Sequence, residues 1–184
     1  MIFIDYVTLM LINMAGGLAT LALFLWKDPE GEDRKMWAPA FGISGLVAVV
    51  CGFAMVFTWP LPKPYNIPFG EMSVFLGILF LGASWAVAKG WNLLPLGIYS
   101  FFAGIAAVLL GIRIIDLSLT QSPALAGAGF ILTGLSGVLA GLVLRLHNKI
   151  KWLRIIGATV LLIAAAIWAL IGYMAYWMHM IPPS

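Results

Sequence analysis

Long apolar stretches alternate with short polar ones along the whole chain. Each of six stretches is close to the roughly 20 residues that a helix needs to cross a hydrocarbon core about 30 Å thick. Because the polar connections are short, the pattern predicts an all-α integral membrane protein with six transmembrane helices. Residues 1–184 would form a single six-helix transmembrane domain, with helices at roughly 2–26, 37–59, 71–89, 95–119, 124–145 and 152–178.

The composition supports this assignment. Of the 184 residues, 63% are hydrophobic and 9% are charged, with a mean hydropathy of +1.06, whereas soluble domains carry about 25% charged residues. The net charge of +3 comes from Lys and Arg in the connections, so it indicates topology and gives no reason to expect a nucleic-acid partner. The single Cys51 excludes an internal disulfide. Asp5 stands where a cleavable signal peptide would carry basic residues.

The basic residues are distributed unevenly between the two sides. Eight follow the first, third and fifth runs, and two, Lys63 and Arg113, lie on the opposite side. Cytoplasmic connections are richer in Lys and Arg. We therefore expect a multi-pass protein of the plasma (inner) membrane with both termini on the extracytoplasmic side. The eight residues are Lys27, Arg34, Lys35, Lys89, Arg145, Lys149, Lys151 and Arg154.

Two runs carry a stripe of small residues along one helix face. Such stripes let helix backbones approach closely in a membrane, so the second and fifth runs are predicted to form the packing spine. The two stripes also align at one constant offset, which indicates a possible 3+3 inverted repeat; the alternative is that apolar helices rich in small residues resemble one another by composition alone. The stripes are Gly45, Ala48 and Gly52, and Gly134, Gly137 and Gly141.

The segment 59–71 differs from its apolar surroundings. It holds four prolines within nine residues, so no helix is predicted across it, and it ends on an acid. Ionisable residues are costly in lipid and are therefore candidates for function. The predicted outer mouth comprises Asp5, Tyr65, Asn66, Glu71, Arg113 and Asp116. Alternatively, Glu71 is a helix cap and Arg113 with Asp116 is an interfacial ion pair.

Sparse polar and aromatic residues share faces of the first, third and fourth runs. They describe an apolar, aromatic path without a ring of charges, which suits a small neutral solute better than an ion. The alternative is that Asn13 and Thr20 only make hydrogen bonds between helices. The predicted pore-lining or solute-binding residues are Tyr6, Asn13, Trp85, Tyr99 and Phe102.

The last run ends in a cluster of methionine and histidine. Thioether and imidazole ligands suit Cu(I) or a haem, so a metal site at Met174, Met178, His179 and Met180 is an alternative hypothesis. Methionine is also a common filler of apolar gaps, and aromatic residues at a helix end form the usual interfacial belt. The main expectation is therefore no metal and no cofactor. No spacing typical of a catalytic site occurs, so an enzyme is not expected.

Over nearly its whole length, the chain resembles an uncharacterised family of bacterial and archaeal six-helix membrane proteins. The motifs that carry this resemblance lie in 59–71, beginning Trp59-Pro60-Leu61-Pro62, in 90–99, and in 111–123.

The first four runs are also similar to the acid-gated urea channel and short-chain amide channel family. The shared pieces include Asn13, Gly45-Leu46, Phe69-Gly70 and Tyr99-Ser100. This resemblance implies six helices, both termini outside, a homo-oligomer assembled as a hexameric ring, and an aromatic-lined pore in each protomer.

The chain departs from the pattern of that second family in three ways. The fifth run has no tryptophan, the sixth has no acid, and the outer connections have no histidine. Acid gating is therefore not carried over. We predict a channel or facilitator for a small polar neutral solute, urea- or amide-like; the alternative is a non-transporting membrane subunit or a haem- or copper-binding protein. The expected partners are the lipid bilayer, the solute and further copies of the chain.

Overall fold

Six long α-helices and one short one make up most of the part of the chain that the structure describes. The structure, a computed structural model, describes residues 6–62, 64–146 and 150–179. Within these ranges, every helix except α2 is long and apolar enough to cross a membrane, which confirms the six predicted spans. The helices are α1 Val7–Lys27, α2 Gly31–Lys35, α3 Ala38–Thr58, α4 Met72–Lys89, α5 Leu94–Asp116, α6 Pro123–Leu146 and α7 Lys151–His179.

The six long helices form a closed ring in chain order. Each packs on its neighbours in sequence, and α7 closes the ring against α1. The packing is most extensive in three pairs, α1–α7, α3–α4 and α5–α6, and the α4–α5 junction is the least extensive of the six. We call the end that holds the α1 C-terminus and the α7 N-terminus the basic end. The opposite end, which holds segment 59–71, is the proline end.

Glycines explain two of the three close pairs. A Cβ added at Gly52 would lie 2.8 Å from the backbone nitrogen of Val74 in α4, and one added at Gly104 would lie 2.5 Å from the carbonyl oxygen of Gly134 in α6. No side chain fits between backbones that approach this closely. The prediction that the two small-residue stripes are sites of close packing is therefore confirmed, with α3 packing on α4 and α6 on α5.

The ring is organised by pairs of helices. In a 3+3 inverted repeat, the α3–α4 junction would correspond to α6–α7, and α5–α6 would correspond to α1–α3. The extensive junctions instead alternate around the ring. The inverted repeat therefore stays a prediction that rests on sequence likeness alone.

Segment 59–71 is partly helical, which corrects one prediction. A π-helical turn occupies Ile67–Glu71 and continues into α4, so this span begins at Ile67, before the predicted start at 71. Pro68 is tolerated because it lies in the first turn, where a backbone N–H has no partner within the helix. Asn66, which precedes the turn, is fully buried. Its side chain accepts a hydrogen bond from the Leu61 N–H at 3.0 Å and donates one to the Leu61 carbonyl at 2.6 Å.

Candidate functional site

A cavity of about 340 Å³ lies inside the ring. Side chains from all six long helices line it, with α3 contributing Phe41. Along α6 it extends from Phe130 to Leu144, which at 1.5 Å per residue is roughly 21 Å of the membrane thickness. No ionisable side chain of the described residues lines it. Its polar side chains are Ser100, Thr133 and Ser136.

Aromatic rings pack at the proline end of the cavity. The ring centroids of Phe69 and Phe130 are 5.9 Å apart, and those of Phe130 and Trp168 are 5.0 Å apart. We call these three residues the proline-end cluster. The Trp168 side chain is fully buried, and its indole N–H donates to the Thr133 hydroxyl at 3.2 Å. The absence of a side chain at Gly129 makes room for the indole, since a Cβ there would lie 2.9 Å from it.

A second aromatic group packs at the basic end. The ring centroids of Phe24 and Phe41 are 5.3 Å apart, and those of Phe41 and Phe80 are 5.6 Å apart. These three residues, the basic-end cluster, all line the cavity. The cavity therefore extends from the basic-end cluster to Phe130, the member of the proline-end cluster that lines it.

The short helix α2 places Arg34 beside the basic-end cluster. The guanidinium carbon lies 6.0 Å from the centre of the Phe24 ring, within the range of a cation–π contact. The same guanidinium donates to the carbonyl of Trp91, in the connection between α4 and α5, at 3.4 Å. Arg34 thus ties α2 to the α4–α5 connection at the end of the cavity.

The three polar side chains of the cavity already donate hydrogen bonds to backbone carbonyls. Ser100 donates to Gly97 or Gly137, at 2.9 and 3.0 Å, and the hydroxyls of Thr133 and Ser136 each donate to the carbonyl four residues earlier. Each oxygen keeps lone pairs that can accept a hydrogen bond. The cavity thus offers a few hydrogen-bond acceptors in an apolar wall, and no charge that would compensate an ion for its lost hydration.

The five predicted pore-lining residues do not line this cavity. Trp85, Tyr99 and Phe102 are 64%, 44% and 69% exposed on the outside of the ring. Asn13 donates to the carbonyl of Ser44 in α3 at 2.9 Å, as the alternative interpretation of Asn13 expected. A contact between these residues and a solute stays a prediction.

Tyr6 and Thr20 also lie outside the cavity lining. The Tyr6 hydroxyl is buried and makes no hydrogen bond within the described part of the chain. Thr20 donates to the carbonyl of Gly16 within its own helix, at 2.9 Å.

Helical geometry explains why the predicted pore-lining residues do not line the cavity. Successive residues of an α-helix are rotated by about 100°. Asn13 is one residue from the cavity-lining Met14, so its side chain is turned by that angle towards α3. Phe102 is two residues from Ser100 and lies on nearly the opposite side of α5. The cavity face of α5 instead carries small residues at spacings of three and four, namely Ser100, Ala103, Gly104 and Ala107; this spacing was the available signal.

The predicted outer-mouth residues are only partly brought together. Arg113 and Asp116 form an ion pair within α5, and both side chains are largely exposed. Glu71 is exposed and makes no ion pair with a residue that the structure describes. It ends the π-helical turn and directly precedes α4, and its side chain makes no capping hydrogen bond. Tyr65 is half-buried, Asn66 is occupied by Leu61, and Asp5 lies outside the described residues.

The methionine and histidine of the tail lie in the last turns of α7. Met174 and Met178 share one face and are each 53% exposed, and His179 is exposed. Met180 is outside the described residues. Within the described ranges, no three residues among His, Cys, Asp and Glu are grouped as a metal site. A metal or haem here remains an alternative hypothesis.

The chain matches one family of known sequences and one solved membrane-protein structure. The model of a family described as "Protein of unknown function (DUF981)" matches residues 1–181. The cryo-EM structure of the Helicobacter pylori urea channel in the closed state is similar, with a TM-score of 0.71 and 17% sequence identity, over 95% of this chain and 99% of that one. A search of curated proteins found no match. Both predicted resemblances, to a six-helix family of unknown function and to the urea channel fold, are confirmed.

Proposed function

The chain belongs to the DUF981 family, and we propose that it is a membrane channel or facilitator for a small polar neutral solute, urea- or amide-like. The single observation that supports this most is the cavity between the two aromatic clusters, on the axis of a six-helix ring. The fold of the chain is similar to that of the Helicobacter pylori urea channel. A solute would pass through each protomer.

The chemistry of the cavity wall favours a neutral solute. An ion would lose its hydration shell against a wall that carries no charge, at a cost of many kcal/mol. A small neutral molecule loses far less, and its N–H groups find acceptors at Ser100 and Ser136. The aromatic clusters act as hydrophobic constrictions, which block conduction by excluding water.

We further propose that the basic end faces the cytoplasm and that both termini lie outside, on the eight-to-two distribution of Lys and Arg. A homo-oligomer is supported by the exposed aromatic face of α4 and α5. There Trp85 stacks on Trp91 at 6.4 Å, and Phe102 is exposed. Native mass spectrometry of the detergent-solubilised protein measures the number of copies.

Stopped-flow light scattering on proteoliposomes tests the transport proposal. We expect urea or a short amide to enter faster than it enters empty liposomes. Ala103→Trp places an indole in the cavity and should abolish the increase. Ala166→Trp is the matched control, because Ala166 is exposed midway along α7 and does not line the cavity. If wild-type liposomes are no faster than empty ones, or if the two variants behave alike, the proposal is wrong.

A further inference from the structure

The cavity extends sideways through the wall of the ring. Three of its lining side chains, Leu135, Leu139 and Ile156, are also exposed on the outside, by 42%, 47% and 56%. All three lie at the α6–α7 junction. The apolar crevice that they line therefore connects the surrounding membrane with the interior.

The two helices pack differently at their two ends. Towards the proline end, Gly129 receives the Trp168 ring, and Thr133 accepts its hydrogen bond. Towards the basic end, a Cβ at Gly157 would meet only Val143, at 3.9 Å. The crevice therefore lies in the half of the membrane next to the basic end.

Basic and aromatic residues flank the α6–α7 connection, at the basic end of the crevice. Arg145 lies in the last turn of α6 and Lys151 begins α7, and both are exposed. Trp152, one turn before Ile156 on the same face of α7, is 73% exposed, as is typical of a side chain at the level of the headgroups.

This positive charge has little compensation within the protein. No Asp or Glu follows Asp116 in the sequence. Among the described residues, Asp28 pairs with Arg154 of α7. Arg145 and Lys151 form no ion pair within the described residues.

We propose that the α6–α7 crevice binds an anionic phospholipid, with one acyl chain between the helices and the phosphate at Arg145 and Lys151. The apolar wall fits the chain, and the uncompensated cations fit the headgroup. Basic pockets between transmembrane helices bind anionic lipids in this way. The bound chain closes the side of the cavity. The binding does not depend on the proposed transport.

Native mass spectrometry of delipidated protein, titrated with dioleoylphosphatidylglycerol or dioleoylphosphatidylcholine, tests the proposal. Each cation near the surface should favour the anionic lipid roughly fivefold, so the pair should favour it roughly thirtyfold. Arg145→Gln with Lys151→Gln should remove that preference. Lys89→Gln, which removes one positive charge at the same end but on α4, should retain it. Ile156→Trp fills the crevice and should weaken the binding of both lipids.

Three results would overturn the inference. One is equal binding of the two lipids to the wild type. Another is a preference that survives the double substitution. The third is an Ile156→Trp protein that loses its oligomeric state while it keeps its lipid, because the crevice would then be an interface between copies. The two Gln substitutions are at exposed positions, so they test the headgroup site even where Ile156→Trp fails to fold.

Discussion

Gly104→Ala should separate α5 from α6. In the wild type, the added Cβ would lie 2.5 Å from the Gly134 carbonyl oxygen and 2.6 Å from the Val138 nitrogen. Ordinary van der Waals contact begins near 3.4 Å, and both neighbours are backbone atoms, which cannot rotate away. The two helices must therefore move apart by about 0.9 Å at this level.

The expected loss of stability follows from that displacement. Forcing an extra carbon into a packed interior costs about 1–3 kcal/mol, while alanine gains up to about 1 kcal/mol over glycine in helix propensity. Gly16→Ala in α1 is the matched control, because a Cβ there meets nothing within 4 Å. The propensity gain is common to both variants. Gly104→Ala should therefore be less stable than Gly16→Ala by about 1–3 kcal/mol.

Equilibrium unfolding in mixed micelles, followed by circular dichroism, measures this difference. Equal free energies of unfolding for the two alanine variants would show that α5 and α6 do not meet at Gly104, and the ring would have to be reconsidered. If both variants are destabilised, Gly16 contacts another copy of the chain. Gly104→Ala and Gly16→Ala are then compared as monomers, in a detergent that dissociates the oligomer.

Three further substitutions follow from the cavity and its ends, each read in the proteoliposome assay. Phe130→Leu removes the ring that joins Phe69 to Trp168 and should speed solute entry into the vesicles, whereas Phe102→Leu, on the outside, should not change it. Arg34→Gln releases α2 from the Trp91 carbonyl and should also raise the rate of solute entry. Lys35→Gln, whose side chain pairs with Glu32, should not raise it. Equal rates for the two variants would show that α2 does not help to close the basic end of the cavity. Asn13→Ala should cost about 0.6 kcal/mol of stability through the lost bond to Ser44 and leave the flux unchanged; a loss of flux in a stably folded variant would restore Asn13 as a solute contact.

The spans were predictable because lipid imposes a length on each helix. Four predicted starts fall within one residue of the starts of α3, α5, α6 and α7, and the first predicted start, residue 2, lies outside the described residues. The exception is α4, whose span begins at Ile67 because Pro68 fits a first turn. Close helix packing at the two small-residue stripes was equally predictable, since close backbone contact requires the absence of side chains.

The cavity face of each helix was harder to predict for a physical reason. In a soluble protein, water on one side and core on the other make periodicity a guide to burial. In a membrane ring, both the lipid and this cavity are apolar, so Phe102 outside and Phe80 inside present the same pattern. The polar residue Asn13 predicts a side chain that faces the lumen, yet a hydrogen bond to the neighbouring helix satisfies its amide equally well.

The proline-end cluster combines two side chains from the long helices α6 and α7 with Phe69, which belongs to a different kind of element. Trp168 donates a hydrogen bond to Thr133 and packs against Gly129. Phe130 belongs to the continuous helix α6. Phe69 instead lies in the π-helical turn, a form that is rare and often marks functional sites in helices. This turn is anchored from outside the membrane span by the two hydrogen bonds between Asn66 and Leu61. A displacement of the proline-rich segment would therefore reach the cavity through Phe69, while Phe130 and Trp168 stay in place. The segment that interrupts the apolar pattern is thus connected, through one buried amide and one ring, to the end of the cavity.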